Sequence, residues 1–88
     1  MKKVNSKLSP TRKKPLSEQV RKAMKRYYKD LKSVEPADVY QLVMGEVEPE
    51  VLIATMKFVD NNQSRAAKIL GLNRATLRKK LIKYKINL

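Results

Sequence analysis

Cysteine and histidine are both absent from the 88 residues of this chain. Disulfide bonds, zinc sites built from Cys and His, and acid–base catalysis by histidine are therefore excluded. The chain has only two glycines and no glycine-rich stretch, so that a phosphate-binding loop of the nucleotide-binding kind is also missing. We expect a protein that is not an enzyme and that holds no cofactor and no metal ion.

Acidic residues are scarce as well, with 8 Asp and Glu against 21 Lys and Arg, which gives a net charge of +13. The charge is uneven: residues 1–34 carry +10, residues 35–60 carry −5, and residues 61–88 carry +8 without any acid. Such a balance favours a polyanionic partner, and its concentration in two segments indicates shaped surfaces rather than a uniformly cationic peptide.

Long hydrophobic runs are also lacking. No apolar stretch follows the N-terminal Lys2-Lys3, so we expect neither a signal peptide nor a transmembrane segment, and we predict a cytoplasmic protein that does not bind membranes. Residues 1–15 contain six Lys and Arg, no acid and two prolines. They have too little apolar surface to offset the entropy of ordering, and we predict a flexible basic N-terminal tail.

Residues 16–60 predict two helices. The first extends from Leu16 or Ser17 to Ser33, with apolar residues at helical spacing and six cations on the opposite face. The second extends from Pro36 or Asp38 to Val59 and is apolar on almost every side. One neighbouring helix cannot bury such a surface, whereas a second copy of the chain can. We therefore predict a homodimer in which the first two helices of both chains intertwine in one four-helix core.

Pro49 lies inside the second predicted helix. Proline removes a backbone hydrogen bond, and its ring collides with the carbonyl four residues earlier, at a cost of ~3 kcal/mol in a regular helix. We expect a kink between Gly45 and Pro49; the alternative is two helices separated by a break.

Residues 61–88 predict a helix-turn-helix. Asn62 is a suitable N-cap, Gly71 suits the left-handed position that ends the first helix, and Asn73 can cap the second helix. Ala66, Ala67, Ile69 and Leu70 form the apolar face of the first helix, and Leu77, Leu81 and Tyr84 that of the second. In such motifs the second helix enters the major groove of duplex DNA. The whole chain is thus predicted to be an all-α protein with four helices.

The run N-Q-S-R-A-A-K-I-L-G-L-N-R-A-T-L-R-K-K-L resembles the C-terminal half of the Fis family, the factors for inversion stimulation of the bacterial nucleoid. A similar module closes transcriptional activators of the nitrogen-regulation type. The resemblance continues upstream through K-P-L-S-E-Q-V-R-K-A and D-V-Y-Q-L-V-M-G-E-V-E, so that it covers residues 14 to 87. It implies a homodimeric, DNA-bending nucleoid protein and transcriptional regulator whose central A·T-rich minor groove is read by shape.

The resemblance also implies the roles of individual residues. Asn73 and Arg74 correspond to base contacts. Contacts to the DNA backbone correspond to Asn62, Ser64, Arg65, Thr76, Arg78, Lys79, Lys80 and Lys83.

The chain departs from the family at several positions. Ser64 stands where the family often has threonine, Ile82 replaces a basic residue, and the proline of the kinked helix lies one place earlier. The N-terminal tail is shorter than the family's arm, which forms a β-hairpin that touches a DNA invertase. Contact with a recombinase or with RNA polymerase is therefore left open.

A small basic RNA-binding protein is the alternative that the charge alone allows. It requires exposed aromatic side chains for base stacking, whereas most aromatic residues here lie on predicted core faces. Competition between duplex DNA and structured RNA separates the two hypotheses.

Overall fold

The computed structural model describes residues 15–87, which form four α-helices and, over that range, no strand. They are α1 (Leu16–Leu31), α2 (Val39–Phe58), α3 (Gln63–Leu70) and α4 (Arg74–Lys83). The prediction of an all-α chain with four helices is confirmed. Of the predicted N-terminal tail, only Pro15 lies within the described residues. None of the four helices is long and apolar enough to cross a membrane.

The described residues divide into two compact units, with the division between Ala37 and Asp38. The first unit contains α1. Pro15 is the N-cap residue of this helix, and its carbonyl accepts a hydrogen bond from the N–H of Glu18 at 3.0 Å. Glu18 lies in the first turn, where an acid is favoured by the helix dipole, and it pairs with Lys22 at 3.6 Å. The helix ends at Leu31, two residues before the predicted Ser33. No residue of α1 is buried.

The second unit begins with α2, one uninterrupted helix of 20 residues with Pro49 inside it. The alternative of two helices separated by a break is therefore wrong, while the kink between Gly45 and Pro49 stays a prediction. The helix starts at Val39 rather than at Pro36 or Asp38. Asp38 precedes it in the left-handed region (φ 56°), where its side chain makes no capping hydrogen bond.

The core of the second unit is formed by α3, α4 and the C-terminal half of α2. Its buried residues are Leu52, Met56, Val59, Ala66, Ala67, Leu77 and Leu81. Leu70 and Tyr84 pack against this cluster, so that six of the seven residues predicted for the two apolar faces of the helix-turn-helix are confirmed. Ile69 is the exception. It is 51% exposed, because it lies on a different side of the short α3 from the buried Ala66 and Ala67.

Three of the helices end with the same backbone geometry. Asn61 N–H donates to the Met56 carbonyl, Leu72 N–H to Ala67, and Ile86 N–H to Leu81, each at 2.9 Å. This six-to-one hydrogen bond is the Schellman motif, which requires a left-handed residue before the donor. Asp60, Gly71 and Lys85 occupy that position, with φ of 51°, 74° and 54°.

Candidate nucleic-acid interface

The helix-turn-helix is held by two asparagine caps and one glycine. The Asn62 side-chain oxygen accepts from the backbone N–H of Arg65 at 3.1 Å, and that of Asn73 accepts from Thr76 at 2.9 Å. Between the two helices, Gly71 takes up the left-handed conformation at no steric cost. All three features were predicted, and they determine where α3 ends and where α4 begins.

Leu77 and Leu81 fix which side of α4 faces the core. Leu77 has no exposed surface and Leu81 has 7%. The solvent side of α4 therefore carries its cations, of which Arg74, Arg78, Lys79 and Lys83 are exposed. The predicted base-reading residues, Asn73 and Arg74, lie at the N-terminal end of this surface and are both exposed.

The residues predicted to contact the DNA backbone are distributed over both helices. At the start of α3, Asn62, Ser64 and Arg65 are exposed; on α4, Thr76 is half-buried. The charge is of one sign, since residues 61–88 contain eight Lys and Arg and no acid. This surface attracts a polyanion and offers no attraction to a cationic partner.

Lys80 has a different environment from the other cations of α4. Its Nζ lies 2.8 Å from the Oε2 of Glu48 on α2, and its side chain is only 29% exposed. The Tyr84 hydroxyl donates to the other oxygen of the same carboxylate at 2.6 Å. These bonds join α4 to the middle of α2. Hydrogen bonds from Lys80 and then Tyr84 lower the pKa of Glu48, and the bond to Glu48 raises the pKa of Tyr84.

A second contact that the sequence analysis did not predict involves Arg65. Its guanidinium carbon lies 5.3 Å from the centre of the Phe58 ring, within the range of a cation–π interaction. Phe58 is 68% exposed, so that the ring covers no core and supports the arginine at the surface. Phe58 ends α2 and Arg65 lies in α3, so that no helical spacing in the sequence indicates that the two side chains meet.

Within residues 15–87, no three acidic side chains are grouped closely enough to hold a metal ion. The charged groups on this surface can instead hydrogen-bond and neutralise phosphates, and the exposed ends of Asn73 and Arg74 can donate hydrogen bonds to base edges.

Comparison with known proteins gives consistent matches. Residues 43–84 match the family described as "Bacterial regulatory protein, Fis family". The chain is 45% identical over 84 residues to the "DNA-binding protein Fis" of Pectobacterium carotovorum, a match that covers 96% of this chain and 85% of the relative. Proteins of the same description from Yersinia enterocolitica and from Enterobacter sp. (strain 638) match with the same identity and coverage.

Proposed function

The chain belongs to the Fis family of bacterial regulatory proteins, and from that premise we propose that it is a homodimeric protein of the bacterial nucleoid that binds and bends duplex DNA and regulates transcription. The observation that carries the proposal is the helix-turn-helix itself. Its second helix is fixed by two buried leucines and presents only polar and cationic side chains, apart from Ala75 and Ile82, on its other sides.

In the proposed complex α4 lies in the major groove, with its N-terminal residues at the base edges. Arg74 is exposed, and its planar fork matches the O6 and N7 acceptors of guanine. Asn73 uses its side-chain oxygen for the cap, which leaves its NH₂ group to donate to a base. Donation from Asn73 therefore selects an acceptor, such as the N7 of a purine.

Phosphates are held by the residues around these two. As in Asn73, the side-chain oxygen of Asn62 accepts the capping hydrogen bond, and its NH₂ group is not used in the cap. We assign the backbone contacts to Asn62, Ser64, Arg65, Thr76, Arg78, Lys79, Lys80 and Lys83. Among these residues, Lys80 should contribute least to the free energy of DNA binding, since its charge is already paired with Glu48.

Dimerisation is supported by the apolar surface that one chain leaves exposed. No residue of α1 is buried, and in α2 only Leu52 and Met56 are, both in the C-terminal half. Tyr40, Leu42, Val47 and Val51 are 78%, 48%, 37% and 47% exposed. A stable monomer rarely exposes this many large apolar side chains along one helix. Two copies that pair through α1 and α2 bury them in a shared core.

Equilibrium sedimentation at micromolar concentration tests the dimer. We expect the unaltered chain to sediment as a dimer and Val51→Glu to shift it towards the monomer. Ile69→Glu is the matched control, because Ile69 on α3 is 51% exposed against 47% for Val51, but lies outside the proposed interface. A folded monomer of the unaltered chain contradicts the proposal, as does equal dissociation of both variants.

DNA as the ligand is tested by competition in one gel-shift series. We expect a labelled duplex that carries the preferred site to be displaced by unlabelled duplex and not by structured RNA. Arg74→Ala should weaken binding to that site by ~1–3 kcal/mol and flatten the preference at one base per half-site. Displacement by RNA at equal or lower concentration favours the RNA-binding alternative instead.

A further inference from the structure

The face of α1 opposite its apolar stripe carries an excess of positive charge that the helix-turn-helix does not explain. Its cations follow one another at spacings of three and four residues, which brings them to one side of a helix. They are Arg21, Lys22, Lys25, Arg26 and Lys29, and Lys32 follows directly after the end of the helix; all six are exposed. We call these six residues the α1 basic stripe. Glu18 is the single acid on that side, and it is already paired with Lys22.

Solvation alone is a poor explanation of the α1 basic stripe. Like charges four residues apart, such as Arg21 with Lys25 and Lys25 with Lys29, destabilise a helix. A surface that serves solubility mixes both signs, which relieves this repulsion. Acidic residues are not rare elsewhere in the chain: residues 35–60 contain six, whereas residues 16–34 contain only Glu18 and Asp30. The repulsion disappears when a polyanion lies along the stripe.

We infer that the α1 basic stripe is a second binding surface for duplex DNA, independent of sequence, which holds phosphates along the backbone. The five cations from Arg21 to Lys29 occupy ~12 Å of helix at 1.5 Å per residue. B-form DNA presents one negative charge per ~1.7 Å of its axis, so that several phosphates lie within reach of this length. This inference rests on the proposed function, because it takes duplex DNA as the ligand, but it adds a site that base reading does not require.

The apolar stripe and the basic stripe of α1 do not compete for space. Val20, Tyr27 and Leu31 lie on the opposite side of the helix from Lys25 and Lys29, at helical spacing. One face can therefore pack in the proposed dimer while the other binds DNA. The phosphates come either from the flanks of the same site or from a second duplex, and the experiment distinguishes these sources.

The test compares two triple variants of the full chain. Lys25, Lys29 and Lys32 are replaced together by Gln in one variant and by Arg in the other. Both replacements have helix propensities close to that of Lys, so that α1 is retained, and only the Gln variant loses charge. Binding to a 60-bp duplex is measured over a range of salt concentrations. Each lost phosphate contact makes the slope of log K against log [salt] shallower by ~0.9.

We expect the slope for the Gln variant to be shallower by at least about one unit per chain, and that for the Arg variant to be unchanged. The same change should appear in an Arg74→Ala background, where the preference at one base per half-site is flattened. The two measurements separate the two proposals. A change in base preference reports on DNA reading by the helix-turn-helix, whereas a change in the salt slope of the Gln variant reports on phosphate binding by the α1 basic stripe. An unchanged slope in the Gln variant overturns the inference, and so does a loss confined to structured RNA.

A 20-bp duplex with one site identifies the source of the phosphates. If the Gln and Arg variants differ on 60 bp but not on 20 bp, the α1 basic stripe binds the flanks of the same duplex. If the difference on 20 bp returns when a second duplex is added, and that duplex enters the complex, the stripe binds a second molecule. A difference already present on 20 bp alone places the contact within the site. Each of these three results supports the second surface.

Discussion

Glu48 of α2 and Lys80 of α4 form an ion pair of 2.8 Å, which joins the proline-containing middle of α2 to the candidate recognition helix. The Tyr84 hydroxyl donates to the same carboxylate, so that Glu48 contacts Lys80 within α4 and Tyr84 directly after its end. The side chains of Glu48 and Lys80 are 26% and 29% exposed. Partial burial protects the pair from screening by salt, which weakens fully exposed pairs. Glu48 therefore adds polar contacts between α2 and the C-terminal end of α4 to the packing of their buried apolar side chains.

Glu48→Gln should lower the free energy of unfolding by about 1 kcal/mol at neutral pH, since it removes the charge from two hydrogen bonds. The pKa of Glu48 lies below its ordinary value of 4.5, chiefly through the hydrogen bond from Lys80. The ionised form therefore stabilises the fold above pH 4.5, and this stabilisation is lost as the pH falls through the lowered pKa. Urea unfolding at a series of pH values measures it.

Glu50→Gln is the control for this prediction, because Glu50 lies on the same helix and is exposed. The stability difference between the unaltered chain and Glu48→Gln should vanish at acid pH, while Glu50→Gln should follow the unaltered chain throughout. A difference that is independent of pH contradicts the assigned role of the Glu48 charge.

Lys79→Ala and Lys80→Ala should differ in their effect on DNA binding, although the two residues are adjacent. Lys79 is exposed and free to neutralise a phosphate, so its loss should weaken all sequences alike and make the salt slope shallower by about one unit. Lys80 is shared with Glu48, and its loss should change the slope by less. Gel-shift titrations at several salt concentrations give both slopes. Equal slopes would mean that Lys80 leaves Glu48 when DNA binds.

Asn73 combines two roles that substitution can separate. Asn73→Ser keeps a side-chain oxygen for the cap and should leave the melting temperature nearly unchanged, whereas Asn73→Ala should cost about 1 kcal/mol of stability. Both variants lose the NH₂ donor and should bind the preferred site more weakly, by ~1–3 kcal/mol. Calorimetry and a binding titration on the same samples measure the two effects. Full affinity in Asn73→Ser would remove Asn73 from the base contacts.

The sequence predicted those parts of the fold that depend on neighbouring residues. The caps at Asn62 and Asn73 and the turn at Gly71 were predicted because each is a bond or a conformation within one helical turn. The length of α2 followed from its apolar pattern. Its start was placed too early, since proline at Pro36 resembles a first helical residue, whereas the chain remains irregular up to Asp38.

The contacts that were missed join residues through the fold rather than along the chain. Glu48 and Tyr84 are 36 positions apart, and no local pattern indicates which acid of α2 faces α4. The exposure of Ile69 was missed for a related reason, because the helical pattern of a short helix does not show how much of it the neighbouring helices cover. Both depend on how α2, α3 and α4 pack, which only the three-dimensional structure shows.

Base pairs at the centre of the binding site should affect affinity without any contact to a side chain. The resemblance to the Fis family implies that the two recognition helices of the proposed dimer are closer together than one turn of B-DNA, ~34 Å. On this proposal we expect the duplex to bend and its central minor groove to narrow. The minor groove narrows more easily over A·T pairs than over G·C pairs, because the guanine amino group of a G·C pair lies in that groove.

Replacing central A·T pairs by G·C should therefore weaken binding, and replacing the guanine by inosine, which lacks the amino group, should restore most of it. A titration of the three duplexes at one salt concentration measures this. If central composition has no effect, the helices fit straight DNA and bending is not part of recognition.

Selection of binding sites from random duplex DNA, at one stated salt concentration, tests the proposed homodimeric reading of DNA most directly. A dimer that reads DNA through two copies of α4 imposes its two-fold symmetry on the selected sequences. We predict an inverted repeat with one half-site per chain, guanine opposite Arg74 in each half, and an A·T-rich centre. Enrichment of a single half-site without a repeat, or no enrichment over the starting pool, would contradict this account.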